Sequence, residues 1–68
     1  MSAVEEALAA ARQRIPAAEA RRLLAQVLQR SAAWLEAHRE AALAPLELAS
    51  FNALVARRAA GEPVAYLI

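Results

Sequence analysis

Short stripes of apolar residues at helical spacing, separated by residues that begin or end helices, constrain this sequence more than any other feature. The first stripe advances in steps of four, three and four residues and consists of Val4, Leu8, Ala11 and Ile15. Such steps place the side chains on one face of an α-helix. Ahead of the stripe, Ser2 and Glu5 fit a capping box, in which each side chain satisfies a free backbone N–H group. Pro16 ends this helix and begins the next one.

The middle of the chain predicts two further helices. The second helix is expected over residues 17 to about 29, and its broad apolar stripe is formed by Ala20, Leu23, Leu24, Val27 and Leu28. Ser31 is suited to cap a short third helix, because serine side chains accept hydrogen bonds from the first free N–H groups. Trp34 and Leu35 are the apolar residues of this third helix.

A fourth helix and its end complete the predicted fold. Pro45 begins the helix after a connection over residues 41–44. Its inward residues are expected to be Leu48, Phe51, Leu54 and Val55. Gly61, the only glycine, supplies a left-handed C-terminal cap, and residues 63–67 can form a short fifth helical turn. Because no strand pattern competes, we predict one all-α domain over residues 1–68, a small antiparallel bundle of four helices.

The composition argues against chemistry carried out by this chain alone. A domain of 68 residues buries only about 60% of its unfolded surface, and without cysteine no disulfide can reinforce it. One histidine and no aspartate leave too few ligands for a common structural metal site. A single glycine cannot build a phosphate-binding loop. His38 lies near Glu36 and Glu40 in sequence, but these neighbours point in different directions on a helix. We therefore predict no catalytic, cofactor-binding or metal-binding residue.

Charge and hydropathy limit the partners and the location. Eight arginines and seven glutamates give a net charge of +1, which is too small to indicate direct binding of nucleic acid. The longest stretch without charge covers nine residues, 48–56, whereas a membrane span needs roughly 20. The N-terminus is acidic first and basic later, the reverse of a secretory signal. We expect a cytoplasmic protein without membrane contact, and a monomeric one.

The first arginine pair, Arg21 and Arg22, is predicted to lie on the polar face of the second helix. Glu19 is spaced to form an ion pair with Arg22 three residues later. This interpretation makes the face solvated and of little consequence for stability.

The second pair, Arg57 and Arg58, allows two interpretations. Arginine near a helix C-terminus is favoured by the helix dipole, which is a structural role. Alternatively, both arginines and Glu62 form a polar patch on which another domain or a partner docks.

The end of the chain resembles a known family, the bacterial release factor glutamine methyltransferases. Residues 57–68 read RRAAGEPVAYLI, similar to that family's R-R-x-x-G-E-P-x-x-Y segment followed by Ile or Leu. Residues 19–24, EARRLL, resemble the family's D-A-x-x-L-L, and residues 34–38, WLEAH, resemble its short third helix. Residues 51–55 match the apolar face before the arginine pair. The resemblance extends over essentially the whole chain, in the same order and at the same spacing.

Two positions depart from the family pattern. Glu19 replaces the usual aspartate in the second helix. Arg39 stands where proline often follows the histidine, which would allow a longer third helix.

The resemblance implies a function that this chain performs as part of a larger enzyme. In the family, the segment leads into a Rossmann-like domain with an S-adenosylmethionine-binding glycine motif and an Asn-Pro-Pro-Tyr catalytic motif. Neither motif occurs in this sequence. The chain is thus similar to the substrate-recognition domain of an enzyme that methylates the glutamine of the Gly-Gly-Gln loop in peptide chain release factors. S-adenosylmethionine would be the cofactor of the parent enzyme, and this chain alone would be no enzyme.

The same resemblance implies an interface at the end of the chain, toward the catalytic domain in cis or toward the release factor. Its residues are predicted to be Arg57, Arg58, Glu62, Tyr66, Leu67 and Ile68. Burying a side chain such as Leu67 or Ile68 contributes about 1.5–3 kcal/mol, so these side chains are unfavourable in water. Without the catalytic domain, we expect the segment to fold back as a loose turn over the fourth helix or to remain mobile.

A hypothesis from another class is a stand-alone or engineered helical bundle, used as an interaction module or a folding model. Short helices make mostly local contacts, which favour fast folding. A reading frame that continues into the two missing motifs would favour the enzyme, and a stop codon after Ile68 would favour the module.

Overall fold

The computed structural model describes residues 3–67 and contains four α-helices. These are α1 (Val4–Ala11), α2 (Ala17–Leu28), α3 (Ala32–Ala37) and α4 (Pro45–Ala59), followed by one 3-10 turn (Val64–Tyr66). No β-strand occurs within residues 3–67, where the one strand-like pairing is an isolated bridge between Ala3 and Ala42. The predicted all-α bundle of four helices with a short fifth turn is confirmed.

Helix α2 lies at the centre of the packing. It contacts each of the other three helices, and α1 also contacts α4. An ion pair joins Glu19 in the first turns of α2 to Arg58 in the last turn of α4, so these two helices run antiparallel. The largest fully buried side chains are Phe51, Leu23, Leu24, Leu35 and Val4. Within residues 3–67 no polar or charged residue is buried, so the interior is purely apolar.

The start of α1 differs from the predicted capping box. Ala3 is the N-cap residue, and its N–H group donates to the Glu6 carboxylate at 3.0 Å. Alanine has no side-chain acceptor, so only the carboxylate half of a capping box can form. Glu6 therefore takes the role predicted for Glu5, while Ser2 lies outside the described residues.

The connection between α3 and α4 holds the beginning of α1. The N–H groups of Val4 and Glu5 donate to the carbonyl groups of Ala41 and Arg39, each at 2.9 Å. These donors belong to the first turn of α1 and have no acceptor within the helix. Leu43 in the same connection is 5% exposed and belongs to the core, which the sequence pattern did not indicate.

The third helix is short, and the lengthening expected from Arg39 is wrong. Ser31 caps α3 as predicted, accepting a hydrogen bond from the Trp34 N–H group at 3.0 Å. The helix ends at Ala37, and the His38 ring stacks on the Trp34 ring with centroids 4.2 Å apart. His38 Nδ1 lies 2.9 Å from the Trp34 carbonyl oxygen, which can only accept, so Nδ1 carries the proton of this bond. His38 is the C-cap residue of α3, with φ −126° and ψ 43°, so the helix does not continue into Arg39.

Helix α2 ends on a residue with left-handed backbone geometry. Gln29 has φ 54° and ψ 45°, and the following N–H group of Arg30 donates to the Ala25 carbonyl at 3.0 Å. Glycine usually occupies such a position because a side chain is unfavourable there. The turn directs the chain sharply from α2 into the cap of α3.

Candidate functional site

The candidate site is the end of α4 and the turn after it, residues 57–67, here called the α4 exit. Gly61 has φ +110° and closes the helix. Its N–H group donates to the Arg58 carbonyl at 3.0 Å, and the Glu62 N–H group donates to the Arg57 carbonyl at 3.2 Å. These are the two hydrogen bonds of a Schellman motif, so the predicted glycine cap is confirmed.

Arg57 and Glu62 form an ion pair across this glycine turn. Arg57 Nε donates to Glu62 Oε2 at 2.5 Å, and both side chains are about half exposed, at 54% and 45%. The structure thus brings together two of the predicted interface residues on the surface. The opposite charges of the two side chains largely cancel, yet both side chains remain accessible to solvent.

Arg58 instead bridges two helices. Its Nε donates to Glu19 Oε1 at 2.7 Å, and its second nitrogen approaches Glu19 Oε2 at 3.4 Å. Less than a third of each side chain is exposed. The hydrogen bond to Glu19, and then the charge of that carboxylate, raise the pKa of Arg58 above its usual value. The predicted pairing of Glu19 with Arg22 is wrong, because Arg58 reaches the carboxylate from the neighbouring helix with a two-pronged geometry.

The last residues fold back onto the bundle. Val64 and Leu67 are each 8% exposed and belong to the core, whereas Tyr66 is 80% exposed. The 3-10 turn is closed by the Tyr66 N–H group donating to the Pro63 carbonyl at 3.0 Å. The fold-back of this segment is confirmed, and Leu67 packs inside this chain. Ile68 lies outside the described residues. The role of these residues as an interface stays a prediction.

Comparison with known proteins assigns the chain to a family. The model of the family described as PrmC N-terminal domain matches residues 1–68. The chain belongs to this family. A release factor glutamine methyltransferase of Bordetella pertussis is 50% identical over 54 residues, which cover 79% of this chain and 20% of the relative. A protein of the same name from Xylella fastidiosa is 49% identical over 61 residues, covering 90% of this chain and 22% of the relative. No solved structure matches.

The resemblance seen in the α4 exit and in α2 is therefore confirmed at the level of the family. This PrmC N-terminal domain spans about a fifth of the length of the curated relatives it matches. None of the helices within residues 3–67 is long and apolar enough to cross a membrane.

The chemistry available at the α4 exit is that of binding. It offers an exposed aromatic ring at Tyr66 and the hydrogen-bonding groups of Arg57 and Glu62, all on a backbone fixed by Gly61. Within residues 3–67 no group of three or more His, Cys, Asp or Glu side chains could hold a metal ion. Tyrosine and arginine are enriched at protein interfaces, because both combine apolar area with polar edges.

Sequence reasoning missed one contact of this site, the ion pair of Arg58 with Glu19. Glu19 lies 39 residues from its partner Arg58, and no local spacing connects the two. The only available signal was the position of Glu19 at the start of α2 and of Arg58 at the end of α4, which an antiparallel pair of helices brings side by side.

Proposed function

We propose that this chain is the substrate-binding N-terminal domain of a release factor glutamine methyltransferase. In this proposal a further domain of the longer protein uses S-adenosylmethionine to methylate the glutamine of the Gly-Gly-Gln loop, in the cytoplasm. The observation that carries it is the match of the whole chain to one N-terminal domain family, together with relatives of that name about five times longer.

The α4 exit is the surface that we assign to docking. Tyr66 contributes an exposed ring, and the pair of Arg57 and Glu62 contributes charged groups on the same segment. Arg58 and Leu67 contribute indirectly, since one ties the exit to α2 and the other anchors it in the core. The exit then presents a fixed surface to the release factor or to the catalytic domain.

The test compares two substrates of the longer methyltransferase. Tyr66→Ala should raise the KM for intact release factor about tenfold, the effect of losing about 1.4 kcal/mol from an aromatic contact. The KM for a short peptide with the Gly-Gly-Gln sequence should change little, because such a peptide reaches only the catalytic domain.

The matched control is Leu46→Ala, which removes the other large exposed apolar side chain, 83% exposed in the first turn of α4. It should leave both KM values unchanged. Equal losses on protein and peptide would show that Tyr66 supports the catalytic domain instead of the protein substrate. An unsubstituted enzyme that does not methylate release factor would overturn the proposed function.

A further inference from the structure

The net charge of +1 conceals a separation between engaged and unengaged charges. Within residues 3–67 the ion pairs use three of the eight arginines, Arg39, Arg57 and Arg58. The five others are Arg12, Arg14, Arg21, Arg22 and Arg30. The carboxylates are mostly engaged: four lie in ion pairs, and two more accept hydrogen bonds from the N-cap N–H groups of α1 and α4. The unengaged charge of the described chain is therefore mainly positive.

Two of the unengaged arginines line one open groove on the outer side of α2. It is lined by Arg22, Ala25, Gln26, Gln29, Arg30 and Ala32. Arg22 and Gln26 are four residues apart and lie on one side of α2, while Gln29 and Arg30 follow the end of the helix. None of its described lining residues is acidic. We call it the α2 groove.

Arg30 is held in place at the end of this groove. Its guanidinium carbon lies 5.0 Å from the centre of the Trp34 ring. The left-handed turn at Gln29 takes Arg30 off the helix toward that ring. A guanidinium in a cation–π contact can still donate its N–H groups to an acceptor. The groove thus has one arginine positioned by an aromatic contact, and a second one, Arg22, exposed on α2.

We propose that the α2 groove binds an acidic segment of a protein partner through the carboxylates of that segment. Arginine binds carboxylates with two parallel hydrogen bonds, and the amides of Gln26 and Gln29 can donate between the two arginines. Arg22 lies in the second turn of α2 and Arg30 follows the end of that helix, so the two guanidinium groups reach the same open surface from different elements. An extended segment advances roughly 3.3 Å per residue, so a segment of about six residues can present carboxylates to both.

Charge complementarity favours protein over nucleic acid as the occupant. A phosphate backbone needs a continuous basic track, whereas this groove has two arginines separated by neutral amides, in a chain of net charge +1. Two separated guanidinium groups with amide side chains between them suit individual carboxylates better than a continuous phosphate backbone. The identification of the partner as the release factor rests on the proposed function. The preference of the groove for an acidic segment rests on its lining residues alone.

The first experiment titrates the 68-residue chain with a glutamate-rich hexapeptide and follows backbone amide signals by NMR. Saturable shifts should be confined to the lining residues of the α2 groove and to Trp34. The double variant Arg22→Glu/Arg30→Glu should weaken the Kd at least about tenfold, or 1.4 kcal/mol. The control Arg12→Glu/Arg14→Glu makes the same change of charge at two other unengaged arginines and should change the Kd less than about threefold.

A second variant guards against loss of structure, since Arg30→Glu also removes the contact with Trp34. Gln26→Glu places one negative charge in the middle of the groove without touching that ring, and it too should weaken binding. Shifts spread evenly over all arginines, equal losses in both double variants, or no binding would each overturn the proposal. An oligouridylate of equal length that displaces the peptide at lower concentration would overturn it in favour of nucleic acid.

The longer methyltransferase separates this inference from the proposed function. With intact release factor, Arg22→Glu/Arg30→Glu should raise the KM while kcat stays unchanged, and Arg12→Glu/Arg14→Glu should do neither. If the unsubstituted enzyme does not methylate release factor, the proposed function fails and the peptide titration still decides the chemistry of the groove. If methylation proceeds and both double variants behave alike, the assignment of the groove to the release factor fails.

Discussion

Two pairs of consecutive arginines occur in this domain, and they differ in whether carboxylates contact them. In the α4 exit, Arg57 and Arg58 each contact a carboxylate, Glu62 and Glu19 respectively. On α2, Arg21 and Arg22 take part in no ion pair of the described chain, although Glu19 lies within one turn of both. The difference arises because Arg58 reaches Glu19 from a neighbouring helix and leaves Arg22 without an acid. We infer that Arg58 holds α4 against α2, whereas Arg22 is available to a partner.

The largest expected effect is on stability and concerns the packing of α2 against α4, the two helices that carry the arginine pairs. Leu24→Ala, at a fully buried position, should lower the free energy of unfolding by about 2–5 kcal/mol, because it removes apolar contacts and leaves a cavity. Leu46→Ala makes the same chemical change at an 83% exposed position and should stay within about 0.5 kcal/mol. Chemical denaturation of the 68-residue chain measures both, and similar values for the two would show that α2 is not the central helix.

The next effect distinguishes the paired arginine from the unpaired one. Arg58→Ala should lower the Tm of the chain, because it leaves the partly buried Glu19 without its partner. Arg22→Ala should leave the Tm nearly unchanged. Thermal unfolding followed by circular dichroism compares them, and a larger loss for Arg22→Ala would reverse the roles assigned to the two pairs.

The pH dependence of the stabilisation by Arg58 follows from the direction in which its pKa is shifted. The pKa of Arg58 is raised in the folded chain, so the stabilisation is fully present below the ordinary arginine pKa and is lost only as the pH rises through the raised value. The difference in Tm between Arg58→Ala and the unsubstituted chain should therefore not change with the titration of Arg58 anywhere near neutral pH.

The smallest effect tests the turn that positions Arg30. Gln29→Gly should raise the stability by about 0.5 kcal/mol, since glycine adopts the left-handed backbone without the steric cost of a side chain. The control Gln26→Gly, in the helical part of α2, should lower it by about 1 kcal/mol. Denaturant titrations of both variants give the sign, and two losses of equal size would argue against the left-handed geometry at Gln29.

Short-range sequence patterns predicted most of the helix ends. They did not predict the contacts between residues far apart in the sequence. Ser31, Pro45 and Gly61 act on backbone groups within a few residues, so their roles could be inferred from spacing alone. Leu43 is a single apolar residue in a connection and has no periodicity that would indicate burial.

The candidate site was predictable in its location but not in its internal contacts. The motif at residues 57–68 pointed to the α4 exit, yet nothing local distinguishes the exposed Arg57 from the bridging Arg58. The α2 groove was not predicted, because its character depends on which carboxylates the fold assigns to other arginines. Those assignments are set by the packing of α2 against α4.

Direct binding of intact release factor to the 68-residue chain tests the central claim, that this domain recognises the substrate through surfaces of its own. In a calorimetric titration we expect saturable binding that Arg22→Glu/Arg30→Glu weakens at least about tenfold and Arg12→Glu/Arg14→Glu leaves nearly unchanged. Absence of binding by the folded chain, or equal losses in the two double variants, would contradict the account.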